Sequence, residues 1–217
     1  MLEKYKTILN EAQAEIIEKK SRFIATVKPV SSEDKAREFI EYIKKKYWNA
    51  THNTFAYQIG ENNEIRRSSD DGEPAGTAGK PILNILIEED IKNAAIVVTR
   101  YFGGTLLGTG GLIRAYGKAA KEGILSAGVF EMTLYNKFSL KGDYSLSGKI
   151  QYEILQQQHI IYETLYSDIV EYIVFVESSK SQKFIKNITN ISNGNIHIND
   201  LGLKYGVFIN GELKINE

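Results

Sequence analysis

Apolar and polar residues alternate along Arg22 to Val30, with Phe23, Ala25 and Val27 set against Ile24, Thr26 and Lys28. This period of two predicts a strand, and Ala14 to Ile17 reads as a neighbour. The period then lengthens. Ala36, Phe39, Ile40, Ile43 and Tyr47 recur at helical spacing, behind a Ser31-Ser32-Glu33-Asp34 start that supplies an N-cap and acidic first-turn residues. Lys44, Lys45 and Lys46 close that helix where positive charge suits the macrodipole. Thr54 to Ile59 and Glu64 to Ser68 predict a hairpin around Gly60 to Asn63. Within Ile91 to Phe102, the run Ala95-Ile96-Val97-Val98-Thr99 predicts a buried central strand. Leu112, Ala115, Tyr116, Ala119 and Ala120 trace a helix over Gly111 to Ala127 that Gly128 ends.

From residue 131 the texture changes to short alternating strands and polar helices. Thr133 to Leu140 alternates, and Asp143 is placed to cap a helix through Leu146, Ile150 and Ile154. Ile160 to Leu165 and Ile169 to Val176 predict two strands around Ser167-Asp168. Ser178 or Ser179 is placed to cap a helix bearing Phe184 and Ile188. An extended region with Ile196, Ile198, Val207 and Ile209 follows. The expected class is α+β: an N-terminal mixed α/β domain over 1–130, then a ferredoxin-like βαββαβ domain over 131–217. The second domain carries no chemistry legible from its pattern.

Composition narrows the function. The chain has 217 residues, 42% hydrophobic and 25% charged, as in folded soluble proteins. Its 27 basic residues balance its 27 acidic ones, so no global charge draws it to nucleic acid or membrane. Nineteen basic and 17 acidic residues precede position 131, against 8 and 10 after it, so neither half is polarised. Cysteine is absent, which excludes disulfides, thiolate zinc sites and cysteine nucleophiles. No apolar run of 18 residues spans a bilayer, and the first residues lack the apolar core of a secretory signal. A cytoplasmic protein without a cofactor is the expectation.

Chemistry concentrates between His52 and Arg114. Ser68-Ser69-Asp70-Asp71-Gly72-Glu73-Pro74-Ala75-Gly76-Thr77-Ala78-Gly79 forms one dense string. Arg100-Tyr101-Phe102-Gly103-Gly104-Thr105-Leu106-Leu107-Gly108-Thr109-Gly110-Gly111-Leu112-Ile113-Arg114 forms the other. Gly103, Gly104, Gly108, Gly110 and Gly111 lie in nine residues at a strand-to-helix junction, where free N–H groups and the helix dipole favour an anion. Arg100 precedes this loop, and Arg114 sits in the helix's first turn, where a cation opposes the dipole until an anion binds. The plainer alternative is a glycine turn that only lets a helix pack on a sheet. Neither nucleotide motif fits: Gly79-Lys80 is followed by Pro81, and Ile113 stands where the dinucleotide fingerprint needs its last glycine.

Asp70, Asp71 and Glu73, with His52 and Thr77 near them, offer carboxylates for Mg²⁺ or acid–base work. A turn built by Asp and Gly explains the acids equally, and a lone histidine before a strand is commonly structural. His159 and His197 have no partner at zinc-ligand spacing, and no nucleophile–base pair is recognisable. Lys19, Lys20, Arg22, Lys44 to Lys46, Arg66 and Arg67, interleaved with Tyr47, Trp48, Phe55, Tyr57, Tyr101 and Phe102, could form a nucleic-acid patch. The lysines could equally be a solvated helix end and the aromatics core.

The strings SDDGEPAGTAGKP and VVTRYFGGTLLGTGGLIRAYGKA, with Ser21-Arg22-Phe23-Ile24-Ala25 and Thr51-His52-Asn53 upstream, resemble the bacterial branch of the IMPACT/YigZ family over essentially the whole chain. The resemblance implies an N-terminal two-layer α/β fold similar to domains of a small-subunit ribosomal protein, the ribonuclease P protein and translocating elongation factors. It also implies a second domain like the last one of elongation factor G. The resemblance further implies eukaryotic relatives that inhibit activation of the kinase that phosphorylates initiation factor two by competing for its activator, and that carry an extra N-terminal interaction domain not expected here. The leading expectation is a non-enzymatic binding protein engaging RNA, the ribosome or a translation-related protein through Arg100, the glycine loop and Arg114. An enzyme or receptor for a phosphorylated ligand, built on Asp70, Asp71, Glu73 and His52, is the alternative.

Overall fold

The computed structural model describes residues 1–215. In chain order it contains β1 (Lys4–Thr7), β2 (Ala12–Glu18), β3 (Ser21–Pro29), α1 (Glu33–Lys46), β4 (His52–Ile59), β5 (Ile65–Ser69), α2 (Gly79–Glu88), β6 (Ala94–Tyr101) and α3 (Thr109–Ala127). There follow β7 (Phe130–Gly142), α4 (Tyr144–Gln156), β8 (Ile160–Tyr166), β9 (Val170–Glu177), α5 (Ser181–Ile191), β10 (His197–Ile209) and β11 (Glu212–Ile215). The class is mixed α+β. One compact unit spans Tyr5–Glu131; the other runs from Met132 and includes Met1–Lys4.

In the first unit the strands order as β2-β3-β6-β4-β5, every neighbour antiparallel. The β-branched run of β6 lies at the centre because both of its faces are buried. Ala95 and Val97 pack with Ala36, Phe39, Ile40 and Ile43 of α1. Ile96 and Val98 pack with Ile82 and Leu86 of α2 and Leu112, Tyr116 and Ala120 of α3. Helices therefore cover both faces, one layer more than the two-layer expectation. Ser32 caps α1 as its sequence implies, accepting from Lys35 N–H at 3.3 Å.

The second unit orders its strands β11-β10-β7-β9-β8. Without β11 this is the antiparallel order of a ferredoxin-like βαββαβ fold. Ile150 and Ile154 of α4 and Phe184 and Ile188 of α5 cover Phe138, Leu140, Tyr172 and Val174 on one face. Two caps differ from expectation. Asp143 stands at the start of α4 without a side-chain bond, and Ser178 and Ser179 form a 3-10 turn ahead of α5, which begins at Ser181. β1 and β11 are four-residue strands, too short to show a period in the sequence.

Candidate functional site

β5 ends at Ser69 and delivers the acidic turn toward α2. Asp70 does not face outward: one carboxylate oxygen accepts from Ala78 and Gly79 N–H at 3.0 and 2.8 Å, and the other from Gly76 N–H at 2.8 Å. Burial alone would raise its pKa. The three backbone donors outweigh that and hold the carboxyl below the usual aspartate range. Asp71 accepts from Asn53 N–H at 2.6 Å, with Lys44 Nζ 3.5 Å away. Thr77 is buried and donates its hydroxyl to the Pro74 carbonyl at 2.7 Å.

Glu73 turns inward and is the hub of a buried polar cluster. Its Oε1 accepts from Arg100 Nη1 at 2.6 Å and from the Tyr116 hydroxyl at 2.7 Å. Burial, then the bond to Glu73, pushes the Tyr116 phenol far above its ordinary value, so it stays a neutral donor. His52 places Nδ1 2.8 Å from the Asp71 carbonyl. A carbonyl can only accept, so Nδ1 carries the proton, and Nε2 lies 3.8 Å from Glu73 Oε1.

This cluster removes Arg100 from the expected anion surface. The residue is only 5% exposed, its charge is matched by Glu73, and its guanidinium lies between the rings of Phe23 and Phe102 at 5.4 and 5.6 Å. Its Nη2 donates to Ser21 Oγ at 3.3 Å. Strand alternation carried the signal: Ile96, Val98 and Arg100 share the face that α2 and α3 cover. Nothing local foretold that Glu73 would meet it there.

The glycine loop divides by role. A Cβ on Gly103 would come within 2.0 Å of the Lys20 backbone, so this glycine lets the loop close on the β2–β3 turn, the plainer role weighed above. Gly108 has φ +71° and begins α3 by accepting from Leu112 N–H at 2.9 Å. No side chain caps this helix. Among the described residues, the N–H groups of Thr109, Gly110 and Gly111 have no acceptor. A Cβ on Gly110 would meet only the tip of Arg114, at 3.8 Å. Gly104, at φ +79°, likewise faces open space. Arg114 is exposed and forms no ion pair among the described residues. Beside it lies a cavity of about 230 Å³ lined by Gly111, Arg114, Lys118, Lys19, Glu18 and Leu107.

Three other arginines of the expected basic patch are engaged with partners of their own. Arg22 pairs with Glu15 at 2.9 Å, Arg67 lies 3.7 Å from Glu33, and Arg66 donates to Gln58 at 2.7 Å. Tyr57 is core and Trp48 is 81% exposed. Among the described residues, no group of three or more His, Asp or Glu side chains is placed to hold a metal ion. Among the described residues, no helix is long and apolar enough to cross a membrane.

The junction of β6, the glycine loop and α3 lies wholly inside a match to the Impact N-terminal domain, which covers residues 19–124. Residues 140–195 match a domain of unknown function, DUF1949. IMPACT family member YvyE of Bacillus subtilis (strain 168) is 45% identical over 205 residues, covering 94% of each chain. The chain belongs to the IMPACT family. Another IMPACT family member, YigZ of Escherichia coli (strain K12), is 31% identical over 182 residues, covering 83% of this chain and 89% of that one. Protein IMPACT of Rattus norvegicus is 37% identical over 100 residues, covering 44% of this chain and 31% of that protein. A solved structure described as a crystal structure of an hypothetical protein aligns with TM-score 0.59 and 28% identity, covering 93% of this chain and 99% of that chain.

Proposed function

We propose that this IMPACT family member is a non-enzymatic binding protein working alongside translation, and that it receives the phosphate backbone of RNA at the start of α3. The observation that carries the reading is the set of three N–H groups, at Thr109, Gly110 and Gly111, that have no acceptor among the described residues, beside an Arg114 that has no ion pair among them. A helix start with free amides favours negative charge. Lys19 and Lys118 at the rim of the adjoining cavity add to that field, and Glu18 opposes it. The acidic turn gives the alternative of a phosphorylated-ligand enzyme little to work with, because Asp70, Asp71 and Glu73 already hold internal donors.

Fluorescence anisotropy with a labelled RNA duplex, repeated across a salt series, tests the reading. Salt-sensitive binding is expected, and Arg114→Ala should flatten the log–log slope by about 0.9 for the lost phosphate contact. Absence of RNA binding, or an unchanged slope in the variant, would contradict it.

A further inference from the structure

The helices of the second unit cover one face of its sheet, and the opposite face carries an aromatic groove. Lys137 pairs in register with Phe175, and Phe175 with Ile160, which puts their side chains opposite the α4–α5 face. The β8–β9 register then shifts between Ile161 and Glu163. Such a bulge re-aims one side chain, and here Tyr162 stands edge-on to Phe175, with centroids 5.3 Å apart and planes at 80°. The β10–β11 hairpin walls a groove of about 720 Å³ whose lining includes Tyr162, Phe175, Phe208, Lys137 and Lys204.

Two features point to one class of ligand. Tyr162 and Phe208 remain 55% and 51% exposed, so planar groups can stack on them. Lys137 lies over the Phe175 ring at 5.9 Å, and neither it nor Lys204 forms an ion pair among the described residues. The acid on the lining, Glu212, is held by Lys214 at 2.7 Å. Aromatic faces flanked by unmatched cations suit unpaired bases joined by phosphates. A duplex, whose bases are stacked internally, cannot use the aromatic part.

We propose that this groove binds a short single-stranded polynucleotide, with bases stacked on Tyr162 and Phe208 and phosphates drawn to Lys137 and Lys204. The site stands on different residues from the α3 start and does not depend on it. The test uses the full chain and a single-stranded 12-nucleotide RNA carrying 4-thiouridine, with anisotropy for affinity and photo-cross-linking mapped by mass spectrometry. Cross-links are expected on the peptides holding Tyr162 and Phe208. Tyr162→Ala should weaken binding at least fivefold, Tyr162→Phe should retain it, and Lys204→Ala should lower the salt slope by about 0.7. Phe208→Ala, at an exposed site, gives a second reading should Tyr162→Ala fail to fold. Binding with cross-links confined to the glycine-loop peptides would overturn this groove and leave the α3 reading intact. Equal cross-linking of the Tyr162 and Phe208 peptides by a duplex carrying 4-thiouridine, or no binding, would also overturn it.

Discussion

Two glycine-rich loops lead into two helices of the same unit, and they end in opposite ways. At α2 the helix start is filled from within: the Asp70 carboxylate takes the N–H groups of Gly76, Ala78 and Gly79. At α3 the corresponding donors on Thr109, Gly110 and Gly111 have no acceptor among the described residues, and the cation Arg114 lies beside Gly110. The first helix start carries its own anion; the second holds none of its own among the described residues. Glycine content alone does not separate them. What separates them is the sign of the charged side chain the loop brings along.

The largest effect expected from breaking this contrast lies beneath both loops. Glu73→Ala leaves Arg100 buried without a counter-charge, which costs about 3–5 kcal/mol; thermal melting should show a large drop, and an unchanged melt would deny that Glu73 and Arg100 form a buried pair. Asp70→Ala comes next, at roughly 1–3 kcal/mol for the cap and its stranded donors, read from urea unfolding. Because the Asp70 carboxyl is held below its ordinary value, its contribution is present above the unfolded value near about 4. It is lost as pH falls through the lower folded value. Asp70→Asn should therefore remove part of the acid destabilisation seen in the parent.

Smaller effects sharpen the comparison within the α3 loop. Gly103→Ala forces a Cβ into the Lys20 backbone and should cost roughly 1–3 kcal/mol. Gly110→Ala meets only the tip of Arg114, at an ordinary contact distance of 3.8 Å, and, inside a helix, should be neutral or raise stability by up to about 1 kcal/mol. Equal losses from both, measured by denaturant titration, would show that Gly110 is held by packing after all.

Much of this was legible in the sequence where physics is local. The β-branched run of β6, the Ser32 cap and the glycine junction before α3 follow from alternation, capping chemistry and composition. The partners of the site were not legible, because they meet through tertiary contact. Arg100 reads as a surface cation until Glu73, 27 positions earlier in the chain, closes on it. Asp70, Asp71 and Glu73 read as one acidic cluster, yet the fold sends each to different donors. In the second unit, Tyr162 looks like an ordinary strand aromatic; only the bulge after Ile161 turns it to the face its helices leave uncovered. A ferredoxin-like order implies one such face, and that was the available signal.

The claim that the two helix starts differ in their appetite for negative charge can be measured in one titration. Adding inorganic phosphate to ¹⁵N-labelled protein should move the backbone amide resonances of Thr109, Gly110 and Gly111 in a saturable way, while those of Gly76, Ala78 and Gly79 stay still. Stationary resonances at Thr109 to Gly111, or equal movement at both helix starts, would contradict the account.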